Sequence, residues 1–307
     1  MATDVRPATT SVALGGEEWA LAPETPRRVA LLRLARRNPL GVAALIIVLT
    51  FVFLGIFGPA IAPYDPRDIN VKDQLEGPSW DHPFGTDRSG SDVLSRVLAG
   101  ARISFLIGLM AVTIGYATGA FLGIVSGYFQ RWLDYVIQRS GEAWAAFPLL
   151  YLYLAFIATF GQGLKTIAIV LVISAVFGGS RLLRAAALVT KHSDYVEASR
   201  ALGASDLWIL RRHIIPNVMP IVIVGVSSVF AISVLAEAAL SFLGLGVAPG
   251  TPSWGIDMSG VNLDDARFYP HLVIFPGIAI SLVVLGFNLL GDTLRDILDP
   301  RLRGSLR

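Results

Sequence analysis

The chain has 307 residues, of which 54% are hydrophobic and only 16% charged, with a formal net charge of +2 and a mean hydropathy of +0.62. Soluble domains carry about a quarter charged residues, so this balance points to a multi-pass membrane protein and away from a large soluble core. Without cysteine there is no disulfide framework, thiolate metal site or cysteine nucleophile.

Residues 1–26 are polar and aperiodic and read as a flexible tail. They lack an apolar region followed by a small-residue cleavage site, so the first span is expected to act as its own insertion signal. Residues 27–39 place five arginines among Val29, Leu31, Leu32 and Leu34. That pattern fits a basic amphipathic helix on an anionic membrane surface, stopped by Pro39, or a positive flank orienting the first span. Six blocks are then long and apolar enough to cross a bilayer, at about 40–62, 103–127, 136–160, 166–188, 218–245 and 271–291. The third is the least clean, with Arg139 and Glu142 in its first turns and a kink expected at Pro148. With the N-terminus inside, 18 of the 25 Lys and Arg fall on the inner side, which places both termini in the cytoplasm. Residues 63–100 form a Pro-, Gly- and Asp-rich outer loop, in which Ser91 or Asp92 can cap a short helix leading into the second span. A second outer loop, 246–270, carries Trp254 at expected interface depth. Residues 293–307 read as a cytoplasmic tail.

The second block carries Gly115, Gly119 and Gly123, four residues apart, which lets another helix approach closely. Packing within the chain, a subunit contact and pathway lining are all open. Glu142 and Glu237 are the acidic residues set deepest in apolar sequence and are candidates for the pathway or a gate. Glu142 can pair with Arg139 of its own helix, whereas Glu237 has no obvious intrahelical partner. The four histidines are scattered, so no metal site is expected. No P-loop occurs, and if ATP drives this protein another subunit must bind it.

Between the fourth and fifth blocks lies Tyr195–Asn217, charged and patterned. Ser193 is expected to cap a first short helix with Tyr195, Ala198 and Leu202 on one face, ended by Gly203 in the left-handed conformation. Ser205 is expected to cap a second, with Asp206 in its first turn and Arg211, Arg212 and His213 in its last. Leu207, Leu210 and Ile214 form its apolar stripe, and Pro216 closes it. Such a helix–turn–helix suits a groove on a partner protein. It equally suits a loop folded back on the membrane.

The string E-A-S-R-A-L-G followed by H-I-I-P resembles the E-A-A signature of ABC importer permeases, matching at Glu197, Ala198, Gly203 and Pro216. Ser199 stands for the second alanine, His213 for isoleucine and Ile215 for leucine. H-P-F-G-T-D-R-S-G-S-D-V-L-S-R, L-A-E-A-A-L-S-F-L-G-L-G, T-P-S-W-G and N-L-L-G-D-T-L-R-D-I-L-D-P-R-L are similar to the dipeptide/oligopeptide (peptide/nickel/opine) branch, in its shorter C-type permease. Ser91, Glu142 and Gly178–Gly179 depart from what is common there. The resemblance implies an all-α integral membrane protein with six transmembrane helices. Its type I ABC importer transmembrane domain (MetI-like) would span 101–292 and contain a coupling loop at 193–217. It further implies a non-enzymatic permease subunit in a bacterial or archaeal plasma membrane, without nucleic acid. Its partners would be a second, homologous permease, two ABC ATPase subunits that bind ATP and Mg, and an extracytoplasmic substrate-binding protein. Glu197, Ala198, Ser199, Gly203, Asp206, Leu207, Leu210 and Pro216 would couple to the ATPase, with the Leu207/Leu210 face filling its groove. The substrate class would be di- and oligopeptides, with nickel chelates, glutathione or opines as the alternative.

Overall fold

The structure is a computed structural model that describes residues 38–248 and 250–298. The expected tail 1–26, nearly all of 27–39 and the last nine residues lie outside the described residues. Secondary structure is helical throughout the described part, apart from an isolated bridge between Thr86 and Asp92.

Five helices are long and apolar enough to cross a membrane: α1 (Pro39–Ile61), α2 (Val93–Phe129), α5 (Leu164–Lys191), α7 (Asp206–Phe242) and α10 (His271–Leu298). The third block is not one kinked span. It is two helices, α3 (Arg131–Ala145) and α4 (Leu149–Phe160), bent by 90° at a short break. Pro148 is the N-cap of α4; it lacks the N–H that a continuous helix requires and holds Phe147 out of the helical region. Counting the pair as one span makes six. The short helices are α6 (Asp194–Ala201), α8 (Trp254–Met258) and α9 (Leu263–Phe268).

Several boundaries differ from expectation for local reasons. Pro39 opens α1 as its first residue, where its missing N–H costs nothing. Asp92 caps α2 by accepting from the Ser95 N–H at 2.8 Å, and that helix runs on as the span itself, ten residues earlier than the apolar block suggests. At the other end α10 extends to Leu298, so 293–298 are helical.

The most extensive helix contact joins α2 to α5. Added Cβ atoms at Gly115, Gly119 and Gly123 would overlap the carbonyls of Val172, Val176 and Ser180 on α5, so the three glycines serve a backbone-to-backbone approach inside the chain. A second core centres on Phe51, whose ring meets Phe105, Phe230, Trp254 and Phe287 at about 6 Å. Trp254 belongs to this core. It is buried, and its indole N–H donates to the Val97 carbonyl at 2.8 Å.

The two outer loops are tied together. Arg96 on α2 donates through Nε (2.9 Å) and Nη2 (2.5 Å) to Asp257 Oδ1 on α8. His271 at the start of α10 meets the Thr86 carbonyl at 3.1 Å, and Arg88 pairs with Asp265. Phe84 stacks on Phe275 with centroids 3.9 Å apart.

Candidate functional site

The loop between α5 and α7 combines a rigid base with an exposed face. Ser193 holds the N-cap position of α6 without a side-chain cap bond, so its expected capping role is not realised; its carbonyl instead receives the Val196 and Glu197 N–H groups. The helix ends in a Schellman arrangement: Gly203 N–H donates to the Arg200 carbonyl at 3.0 Å and Ala204 N–H to Ser199 at 3.1 Å. Gly203 has φ +84° and open space around a Cβ, so glycine is required there by backbone conformation rather than packing. Ser205 caps the next turn through the Trp208 N–H at 3.4 Å.

From there the chain departs from a short, closed helix. A π turn at Leu210–Ile214 runs straight into the span, with Pro216 at its first positions. Pro216 does not end the helix. The wider i→i+5 turn tolerates its missing N–H, and the helix continues to Phe242. The same turn splits the expected apolar stripe. Leu207 is 56% exposed, whereas Leu210 is 7% and Ile214 0% exposed. Leu210 and Ile214 pack with Val196, Ile209 and Val218 on Leu183, Ala187, Ile124 and Tyr128, the ends of α5 and α2. Leu210 therefore anchors the loop to its own chain and does not belong to an outward face. That face consists of Tyr195, Leu202, Leu207 and Trp208, with Glu197 and Ala198 also exposed.

Asp206 accepts from the Tyr128 hydroxyl at 2.6 Å, a bond between the loop and the end of α2. Ser199 Oγ donates to the Tyr195 carbonyl at 2.7 Å and lies 3.0 Å from His213 Nε2. The hydroxyl has one proton, so the imidazole Nε2–H donates to Ser199. His213 sits between the Tyr195 and Trp208 rings, at 5.4 and 5.1 Å. Two of the three positions at which the E-A-A string departs from the general signature, Ser199 and His213, thus hold one another across the turn.

Above the loop, α5, α7 and the end of α10 enclose a cavity of about 920 Å³. Gly178 and Gly179 line it beside Ser174, Ser228, Asn217 and Arg295, and a Cβ at Gly178 would meet open space. Glu237 lies on α7 and is fully buried. Its carboxylate accepts from Ser241 (2.8 Å), Ser253 (2.8 Å) and Ser104 (3.0 Å), so it does have an intrahelical partner, Ser241, four residues on. Through it α7, α2 and the second outer loop meet at one side chain. Glu142 is remote from this knot, exposed on α3 and paired with Arg139 at 2.7 Å. Sequence reasoning passed over Tyr128, Val196 and Trp208; an aromatic ending the second apolar block was the available signal for Tyr128. Among the described residues, no group of three metal-ligating side chains converges.

A family model described as the binding-protein-dependent transport system inner membrane component matches residues 119–304. One described as the N-terminal TM domain of oligopeptide transport permease C matches 25–78. The glutathione transport system permease protein GsiD of Escherichia coli O6:K15:H31 (strain 536 / UPEC) is 41% identical over 270 residues, 88% of this chain and 89% of its own length. The protein of the same name from Shigella dysenteriae serotype 1 (strain Sd197) is 41% identical over 274 residues. An inward-facing structure of the MetNI methionine ABC transporter is similar with a TM-score of 0.46 at 18% identity, over 69% of this chain and 94% of that one. The first family match takes in more than half the chain, and the relatives align almost end to end. This chain belongs to the inner-membrane permease components of binding-protein-dependent ABC transport systems, multi-pass subunits that work with ATPase and substrate-binding partners.

Proposed function

We propose that this permease forms half of the translocation pathway of an importer for di- and oligopeptides, driven by ATPase subunits that dock on Tyr195–Pro216. The observation that carries the reading is the loop's division into an exposed apolar face and a base locked into α2 and α5. A face that touches a partner can move the spans only if it cannot slide on them. Glu197 supplies a polar contact to the ATPase, Gly203 sets the angle between the helical turns, and Leu207 with Trp208 enters the groove. ATP and Mg are bound by the ATPase subunits. The cavity between α5 and α7 is the substrate path on this side, with a second permease completing it. Glu237 closes the outer end by joining α2, α7 and the outer loop.

In the purified complex, ATPase activity should rise on adding loaded binding protein. Gly203→Pro and Glu197→Lys are expected to abolish that rise, by more than about ten-fold, without preventing assembly. Normal stimulation in both variants overturns the docking assignment. Glutathione import is the second reading, favoured by the 41% identity to GsiD; competition between labelled glutathione and labelled dipeptides for uptake separates the two.

A further inference from the structure

A second cavity, of about 540 Å³, lies where the end of α2, the α2–α3 junction, the last residue of α5 and the α5–α7 loop converge. Arg131, Lys191 and Arg200 line it, against a single carboxylate, Asp206. That carboxylate is already engaged by the Tyr128 hydroxyl. Among the described residues none of the three cations forms an ion pair. Lys191 Nζ meets the Gln130 side-chain carbonyl at 3.4 Å and the face of the Tyr128 ring at 5.6 Å, with the Asp206 charge acting on it from farther off. An ammonium carries three donors, so this one is underused. Three like charges around one concavity repel each other, and an anion seated among them relieves that repulsion.

The backbone supports the same conclusion. Gln130 and Arg131 are consecutive non-glycine residues with φ of 58° and 59°, a left-handed pair that L side chains rarely adopt. Strain of this kind persists where the surroundings over-determine it, and it clusters at ligand clamps. Here it sets both side chains on the cavity wall. At the rim, Phe129 and Trp132 are 46% and 73% exposed. Aromatics at the end of a span, beside cations on the positively charged side, mark headgroup depth.

We propose that this cavity binds a phosphate anion, held by Lys191, Arg131 and Arg200, and that its source is the headgroup of an anionic phospholipid. Several acceptor oxygens on a compact anion satisfy converging Lys and Arg donors. The aromatic rim favours a headgroup whose chains continue into the bilayer. Arg200 is part of α6, so an occupied site braces the α5–α7 loop against the ends of α2 and α5. The proposal holds whatever substrate the permease carries.

The test uses the full permease–ATPase complex in nanodiscs of phosphatidylcholine with or without phosphatidylglycerol, with retained lipid counted by native mass spectrometry. Phosphatidylglycerol should be retained over phosphatidylcholine, with retention falling about five-fold for each cation removed in Lys191→Gln and Arg131→Gln. Lys191→Arg should restore it, which a purely structural role for the side chain would not require. Trp132→Ala should weaken lipid retention while leaving competition by inorganic phosphate unchanged. If inorganic phosphate displaces the retained phosphatidylglycerol and Trp132→Ala leaves lipid retention unchanged, the source is a soluble phosphate and the headgroup assignment is overturned. If the variant combining Lys191→Gln with Arg131→Gln assembles and retains phosphatidylglycerol as the unaltered complex does, the site itself is overturned. Disulfide crosslinking of Lys191→Cys to a cysteine placed in an acidic segment of the ATPase, with no lipid retained, overturns it in favour of a protein contact.

Discussion

Ser199 and His213 show how two departures from a common pattern can be one substitution in physical terms. Together they supply a hydrogen bond between the halves of the turn that alanine and isoleucine could not make. A double-mutant cycle tests this. Ser199→Ala and His213→Ile should each cost about 1 kcal/mol of loop stability, with the double variant less destabilised than the sum. Hydrogen exchange at the Gly203–Trp208 amides is the measurement; strict additivity would show the pair to be uncoupled. Glu237 is the second residue whose role depends on its neighbours. Glu237→Gln keeps an acceptor for its three serines, while Glu237→Ala leaves a void and three hydroxyls to re-pair. Thermal unfolding in detergent should therefore show Glu237→Ala destabilised by about 3 kcal/mol and Glu237→Gln by clearly less.

Among the elements, the α2–α5 pair is the part of the fold most exposed to a single added side chain. Gly119 sits against the Val176 carbonyl, and a backbone atom cannot step aside as a flexible side chain does. Gly119→Val should force the helices apart and cost about 1–3 kcal/mol, read as a lowered melting temperature. Gly178→Ala, two residues along α5 from that contact and facing open cavity, should leave stability unchanged or raise it slightly, so the two variants separate packing glycines from lining glycines. The bent third block obeys the same local logic. Its apolar content alone reads as a span, but Pro148 breaks it. Arg184 on α5 then holds α3 from the side by two bonds to Asp134, at 2.5 and 2.7 Å.

Across the whole molecule, the outer loops form a clasp whose centre is Asp257. Burial pushes its carboxyl up to about 6 from an ordinary 3.8, and Arg96 only partly offsets this. One oxygen, Oδ2, has no hydrogen-bond partner in its buried position, which leaves the ionised form poorly solvated. Because the folded value is raised, this group's contribution to stability is fully present below pH about 3.8 and is lost as pH climbs through about 6. Melting temperature should fall over that window in the unaltered protein and fall less in Asp257→Asn. Parallel curves would mean that Asp257 does not titrate there.

Sequence by itself determined the all-helical membrane class, the apolar blocks and the left-handed turn at Gly203. These follow from hydropathy and capping, which act over a few residues. Tertiary structure alone decided that Leu210 faces inward while Leu207 faces outward, because a π turn rotates the stripe. It alone brought Ser104 and Ser253 to Glu237, Asp257 to Arg96, and three cations to one cavity. The members of these groups lie up to 161 residues apart in sequence. Only the packing of whole helices sets the distance between them.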